Sequence, residues 1–157
     1  MISMKRRTFL KGSLAAGTVG AAVGAGLLTP RMVLAAWPAS AFQATTVDSA
    51  LDGLMGSHQL EGSDKISIRA PDIAENGAVV PVSVTSTLED VESISIIAEK
   101  NATPLTASFS LGKGTLADVS TRIKMGKTSS VIAVVKAGGK LYSTGKEVKV
   151  TIGGCGG

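Results

Sequence analysis

Three observations predict an all-β protein: short runs of alternating apolar and polar residues, turn formers between those runs, and no helix-length segment after Gly62. About seven such runs predict an immunoglobulin-like antiparallel β-sandwich, with one short N-terminal helix and a flexible C-terminal arm. The cysteine pair and core tryptophan of antibody domains are missing, so the class rests on strand spacing.

The elements follow in chain order. Val47, Leu51, Leu54 and Met55 fall at helical spacing within Val47 to Leu60, and Asp48 is available as a cap. Strands are expected at Lys65–Arg69, Val80–Thr85, Val91–Ala98, Thr106–Leu111, Ser120–Met125, Val131–Val135 and Val148–Ile152. Each is short and rich in β-branched residues. Glu75-Asn76-Gly77, Gly112-Lys113-Gly114 and Ala137-Gly138-Gly139 read as turns between them. Aromatic residues make up 3% of the chain, so with Phe42, Phe109 and Tyr142 as its only aromatics after the first 41 residues the core must be aliphatic.

Charge separates the first quarter of the chain from the rest. Among 157 residues the formal charge is +4, yet residues 1–41 carry five basic residues (Lys5, Arg6, Arg7, Lys11, Arg31) and no acidic one. The remainder holds 11 basic against 12 acidic residues. No basic footprint of the kind that tracks phosphates is left, which excludes a nucleic-acid partner.

Residues 1–41 have the parts of an export signal: a basic start, an uncharged run from Gly12 to Pro30, and the small residues Ala39-Ser40-Ala41. Arg6-Arg7 followed by Phe9-Leu10-Lys11 resembles the twin-arginine type, which is read by a receptor and is not an anchor. Five glycines in the run oppose partitioning into hydrocarbon, although its 19 residues approach the roughly 20 that a spanning helix needs. The expected organisation is a cleaved leader over 1–41, a β-sandwich with its helix over 42–152, and an arm over 153–157. Ala35 and Ala36 are alternative cut sites. Cleavage after Ala41 would remove Trp37, leave no membrane attachment and place the protein in the periplasm. Twin-arginine export carries folded cargo, and with no cofactor site evident a pre-assembled protein complex is the implied passenger.

The chain ends Gly153-Gly154-Cys155-Gly156-Gly157. Glycine lacks a Cβ and imposes no conformation, so the only thiol sits on an arm of five residues that reaches roughly 17 Å when extended. An exposed unpaired thiol in an oxidising compartment invites disulfide dimers and overoxidation, so its placement implies a use. No Lys, Arg or His lies within five residues to activate it, and an unactivated thiol of pKa ~8.5 suits passive attachment better than nucleophilic catalysis. A single cysteine with a single histidine also excludes an internal disulfide and a Cys/His zinc site.

This ending, after a terminal strand and behind a twin-arginine leader, resembles the SoxY family, the sulfur-carrier subunits of the periplasmic thiosulfate-oxidising Sox system. The segment Ala70-Pro71-Asp72-Ile73-Ala74-Glu75-Asn76-Gly77-Ala78-Val79-Val80-Pro81-Val82 resembles that family's first strand pair. The resemblance implies a non-catalytic protein without a cofactor of its own, whose Cys155 covalently carries sulfur intermediates. It implies a heterodimer with a SoxZ-like subunit. It further implies transient visits to SoxAX, which couples thiosulfate to the thiol, to SoxB, which removes sulfate, and to a sulfane dehydrogenase.

Other residues carry less. His58 reads as a helix-end or surface histidine rather than a ligand. Glu89, Asp90 and Glu92 could mimic a catalytic pair, but a solvated loop or partner-facing rim is the favoured reading. Lys113, Lys124, Lys127, Lys136 and Lys140 read as edge lysines that block sheet aggregation. Gly77, Gly114 and Gly139 read as turn glycines. Two competing functions remain: a carrier activated as a thiocarboxylate on Gly157, which needs ATP and leaves Cys155 unexplained, and an immunoglobulin-like binding or structural module with an incidental thiol.

Overall fold

The computed structural model describes residues 38–151. Residues 1–37, most of the leader expected over 1–41, and residues 152–157, with Cys155 and its four glycines, lie outside them. Two helices come first, α1 (Ala39–Gln43) and α2 (Val47–Met55). Nine strands follow: β1 (Glu61–Gly62), β2 (Ile66–Arg69), β3 (Ile73–Ala74), β4 (Val80–Ser86), β5 (Val91–Ala98), β6 (Leu105–Ser110), β7 (Asp118–Ile123), β8 (Ser129–Ala137) and β9 (Lys140–Val150).

Helix α2 starts where Thr46 turns its side-chain oxygen to accept from the Ser49 amide at 3.2 Å. Thr46 therefore takes the capping place expected of Asp48, which sits in the first turn and complements the helix dipole. The helix ends at Met55, short of Leu60, because Gly56 adopts the left-handed conformation (φ 75°) and its amide donates to the Asp52 carbonyl.

The strands form two sheets. The larger runs in the order β1-β9-β8-β5-β6, with β3 beside β9, and the smaller in the order β2-β4-β7. All neighbours pair antiparallel except β1 and β3, which pair parallel to β9 at Tyr142–Ser143 and at Lys149–Val150 respectively. The sandwich expected from the sequence is present. Its last strand is much longer than expected, eleven residues instead of a short run at Val148–Ile152. Gly138 and Gly139, both at positive φ, form the two-residue turn of the β8–β9 hairpin, with Ala137 opposite Lys140.

Successive residues of the large sheet point to opposite sides, and both sides are covered. Ile94, Ile96, Val131, Ala133, Val135 and Val148 face the small sheet and pack with Ile66, Val80, Val82, Val84 and Ile123. On the other face, Ile97, Val134 and Leu141 pack against Ala41, Ala50 and Leu51 of the helices. The core is aliphatic as expected, with Phe109 and Tyr142 at its margin. Two bulges adjust β5. Thr106 is the extra residue opposite Ile96/Ile97, and its hydroxyl donates to the Ile96 carbonyl at 2.8 Å. Glu92 is the extra residue opposite Ala137/Lys136.

Adjacent residues on β5 therefore test the two cores separately. Ile96→Ala and Ile97→Ala should each cost about 2–5 kcal/mol in denaturant unfolding, since each side chain is fully buried. A wild-type midpoint for Ile97→Ala would show that the helices do not form a second core.

Candidate functional site

The sequence points to the end of the chain, and the structure describes how strand β9 brings the chain there. Val150 closes the strand, and Thr151 is the last described residue. On one side, Thr128 receives the Val150 amide on its Oγ1 at 2.9 Å and donates the same hydroxyl to the Val150 carbonyl at 3.4 Å. Opposite it, the Lys149 amide donates to the Asp72 carbonyl at 2.9 Å and the Thr151 amide to the Ala74 carbonyl at 3.1 Å. The Thr151 hydroxyl donates to the Glu75 carbonyl at 3.2 Å. The final residues of the strand are thus bonded on both edges.

Gly77 makes this arrangement sterically feasible. The residue is buried, and a Cβ there would run into the Met125 carbonyl oxygen and come within 2.7 Å of Val150 Cγ1. Its carbonyl accepts from the Met125 amide at 2.7 Å. Gly77 does sit in a turn, as read, but what it supplies is close approach rather than a positive φ. Asn101 fastens the next layer: its Nδ2 donates to the Lys124 carbonyl at 2.7 Å, and its Oδ1 accepts from the Gly126 amide at 2.9 Å. Lys146 binds the Ala70 carbonyl at 2.6 Å and the Asp72 carboxylate at 3.0 Å, tying the β2–β3 connection to β9.

Thr128, Thr151, Asn101 and Lys146 were not singled out in the sequence. Beyond the strands expected at Ser120–Met125 and Val148–Ile152, only the segment Ala70–Val82 signalled this region. It is not a strand pair: β2 and β4 pair through Ile66–Arg69 and Ser83–Ser86, and residues 70–79 form the connection that carries β3 and Gly77.

Lys124 and Lys127 lie in the segment beside Thr128, whereas His58, the three carboxylates, Lys136 and Lys140 do not take part in this end. His58 lies beyond the end of α2, with Nδ1 at 2.9 Å from Asp52 Oδ1, and that hydrogen bond raises its pKa above the ordinary 6.5. Glu92 pairs with Lys136 at 2.8 Å, which lowers its pKa, and it also accepts from the Gly139 amide at 3.4 Å. With Glu89 and Asp90 it lines an open cleft of about 1080 Å³ between the β4–β5, β6–β7 and β8–β9 connections. That cleft lies at the start of β9, and the eleven-residue strand separates it from Thr151 by about 33 Å. The three carboxylates do not converge as an acid–base pair: Glu92 is bound to a lysine. Lys140 is paired with Glu61 at 3.2 Å, which raises its pKa. Among the described residues, no group of three or more His, Cys, Asp or Glu is arranged to hold a metal ion, and no helix is long and apolar enough to cross a membrane.

The fold defines a class: a small two-sheet sandwich whose final strand is anchored on both edges as far as Thr151. Comparison with known proteins narrows it. The family model described as sulfur oxidation protein SoxY matches residues 51–155, ending on Cys155 itself. The structure of the sulfur carrier protein SoxY from Chlorobium limicola f thiosulfatophilum is 44% identical, with 68% of this chain and 97% of that chain covered and a TM-score of 0.62. Two further matches carry no argument. One is from a study of T cell activation by the bacterial superantigen toxic shock syndrome toxin-1 (12% identity, 55% of this chain and 98% of that chain, TM-score 0.41). The other is the human F-spondin reeler domain (15% identity, 58% and 92%, TM-score 0.36). No curated protein matches this chain. The chain belongs to the SoxY family, and its role is that of a sulfur carrier in sulfur oxidation.

Gly77→Ala should destabilise the fold by about 1–3 kcal/mol, since the added methyl meets backbone. It should also speed hydrogen exchange at the Val150 and Thr151 amides. Gly62→Ala, where nothing lies within 4 Å of an added Cβ, is the control and should leave that exchange unchanged.

Proposed function

We propose that Cys155 is the covalent attachment point for thiosulfate-derived sulfur, and that the rest of the chain is a non-catalytic scaffold presenting it to visiting enzymes. What supports the reading is the family match that ends on the chain's only cysteine, combined with a strand fixed as far as Val150. Three residues separate Thr151 from Cys155, so the four chain steps allow the Cys155 Cα a reach of at most about 14 Å from the anchored end. Glycines on both sides leave no side chain to obstruct an approaching active site.

The chemistry requires a partner at each stage. Oxidative coupling joins the Cys155 sulfur to the outer sulfur of thiosulfate, giving a Cys–S–S–SO3⁻ adduct, and releases the thiol proton and two electrons to a haem enzyme of the SoxAX kind. Hydrolysis then breaks the bond between the outer sulfur and the sulfonate. Water supplies the fourth oxygen of sulfate, and a persulfide stays on Cys155. A sulfane dehydrogenase oxidises that remaining sulfur. The SoxY family implies Sox-system partners. A SoxZ-like subunit is the proposed heterodimer partner, and the periplasm, reached by a twin-arginine leader, is the proposed compartment.

Intact-mass spectrometry of the protein from cells oxidising thiosulfate checks this. The expected spectrum contains reductant-sensitive additions of one thiosulfonate or of one or more sulfur atoms, all mapping to Cys155. Additions that survive reductant and map to Gly157 would replace the reading with thiocarboxylate chemistry.

A further inference from the structure

Ala41, the small residue at the expected leader boundary, lies in the interior of the folded domain. It is 0% exposed and packs with Ala50, Leu51, Ile97, Leu105, Val134 and Leu141. Its amide donates to the Pro38 carbonyl at 3.0 Å, inside the first turn of α1. Across the helix pair, a Cβ on Gly53 would stand only 3.2 Å from the Ala41 amide nitrogen and Cα, so the two backbones touch.

A peptidase holds the residues flanking its target bond in extended form. Cutting after Ala41 would require α1 to unwind and a core residue to leave, and susceptibility to proteolysis follows the burial and hydrogen bonding of the backbone concerned. The twin-arginine route, part of the function proposed above, delivers cargo already folded, so α1 is docked before the leader meets the peptidase.

We propose that the leader is removed upstream of Pro38, after Ala35 or Ala36, so that the mature chain begins at Ala36 or Trp37 and retains α1. Water adds across that peptide bond, leaving a carboxylate on the leader and an α-amine on the mature chain, with no change of oxidation state. Small residues before the cut are supplied by Ala35 and Ala36 themselves. Trp37 then stays with the mature protein, contrary to the sequence reading that removes it.

N-terminal sequencing and intact mass of the protein exported from cells expressing the full chain test the proposal. The expected N-terminus is Ala36 or Trp37, with tryptophan emission from the purified protein. An N-terminus at Phe42, without that emission, overturns the cut position and leaves the carrier reading standing. An exported chain that keeps Met1 overturns the cut and the cleaved-leader reading and leaves the carrier reading standing. Paired substitutions cover the case in which the exported protein is scarce. Ala35→Phe with Ala36→Phe should leave the precursor uncut. Ala39→Phe, at the exposed first position of an Ala39-Ser40-Ala41 site, should leave processing unchanged. Loss of processing in Ala39→Phe would return the cut to Ala41.

Discussion

The close contact of Gly77 with Met125 and Val150 is the constraint on which the delivery of the chain end depends. In the function proposed above the attachment atom has to stay within a bounded reach of a rigid body, and the end of β9 supplies that reference point. Hydrogen bonds from Thr128 on one edge and from the residue 72–75 segment on the other hold the strand to Thr151. Without a glycine at position 77 that segment could not lie close enough to pair with β9. Five backbone or hydroxyl bonds at one strand end, each of about 0.5–1.5 kcal/mol net, amount to more than surface fraying can offset.

The large sheet serves as the central layer. One face meets the small sheet and the other meets α1 and α2, so β5, β8 and β9 are sealed on both sides. This explains why the described residues include so few large exposed apolar side chains, namely Ile73, Val79 and Leu116. Of the charged groups weighed in the sequence, Glu92 pairs with Lys136, Lys140 with Glu61, and His58 with Asp52. Exposed pairs of this kind contribute little to stability, and their arrangement offers no acid–base site.

Much of the sandwich was legible because its core strands are aliphatic and alternate. Val91–Ala98 coincides with β5, and Val80–Thr85 falls one residue short of β4. Strand β9 was hidden by its middle, Ser143-Thr144-Gly145-Lys146-Glu147, where polar residues and a glycine obscure a strand specified by pairing with β8 and with β1 and β3. Two-residue strands such as β1 and β3 carry no periodicity to detect. Helix α1 was absorbed into the leader because Ala39-Ser40-Ala41 has the composition of a cleavage site, and composition does not report that Ala41 is buried. At the candidate site, Cys155 stands out in the sequence by its isolation among glycines and lies outside the described residues, whereas the threonines, Asn101 and Lys146 act through contacts distant in sequence.

The central claim is that one sulfur atom at the chain terminus does the carrying while the folded body only positions it. Thiosulfate-dependent electron release, measured with the partner subunit and the oxidising enzymes reconstituted around either the wild-type chain or Cys155→Ser, tests this most directly. The account predicts that the serine variant folds, binds its partner and supports no turnover above the carrier-free background. Turnover at the wild-type rate would contradict it.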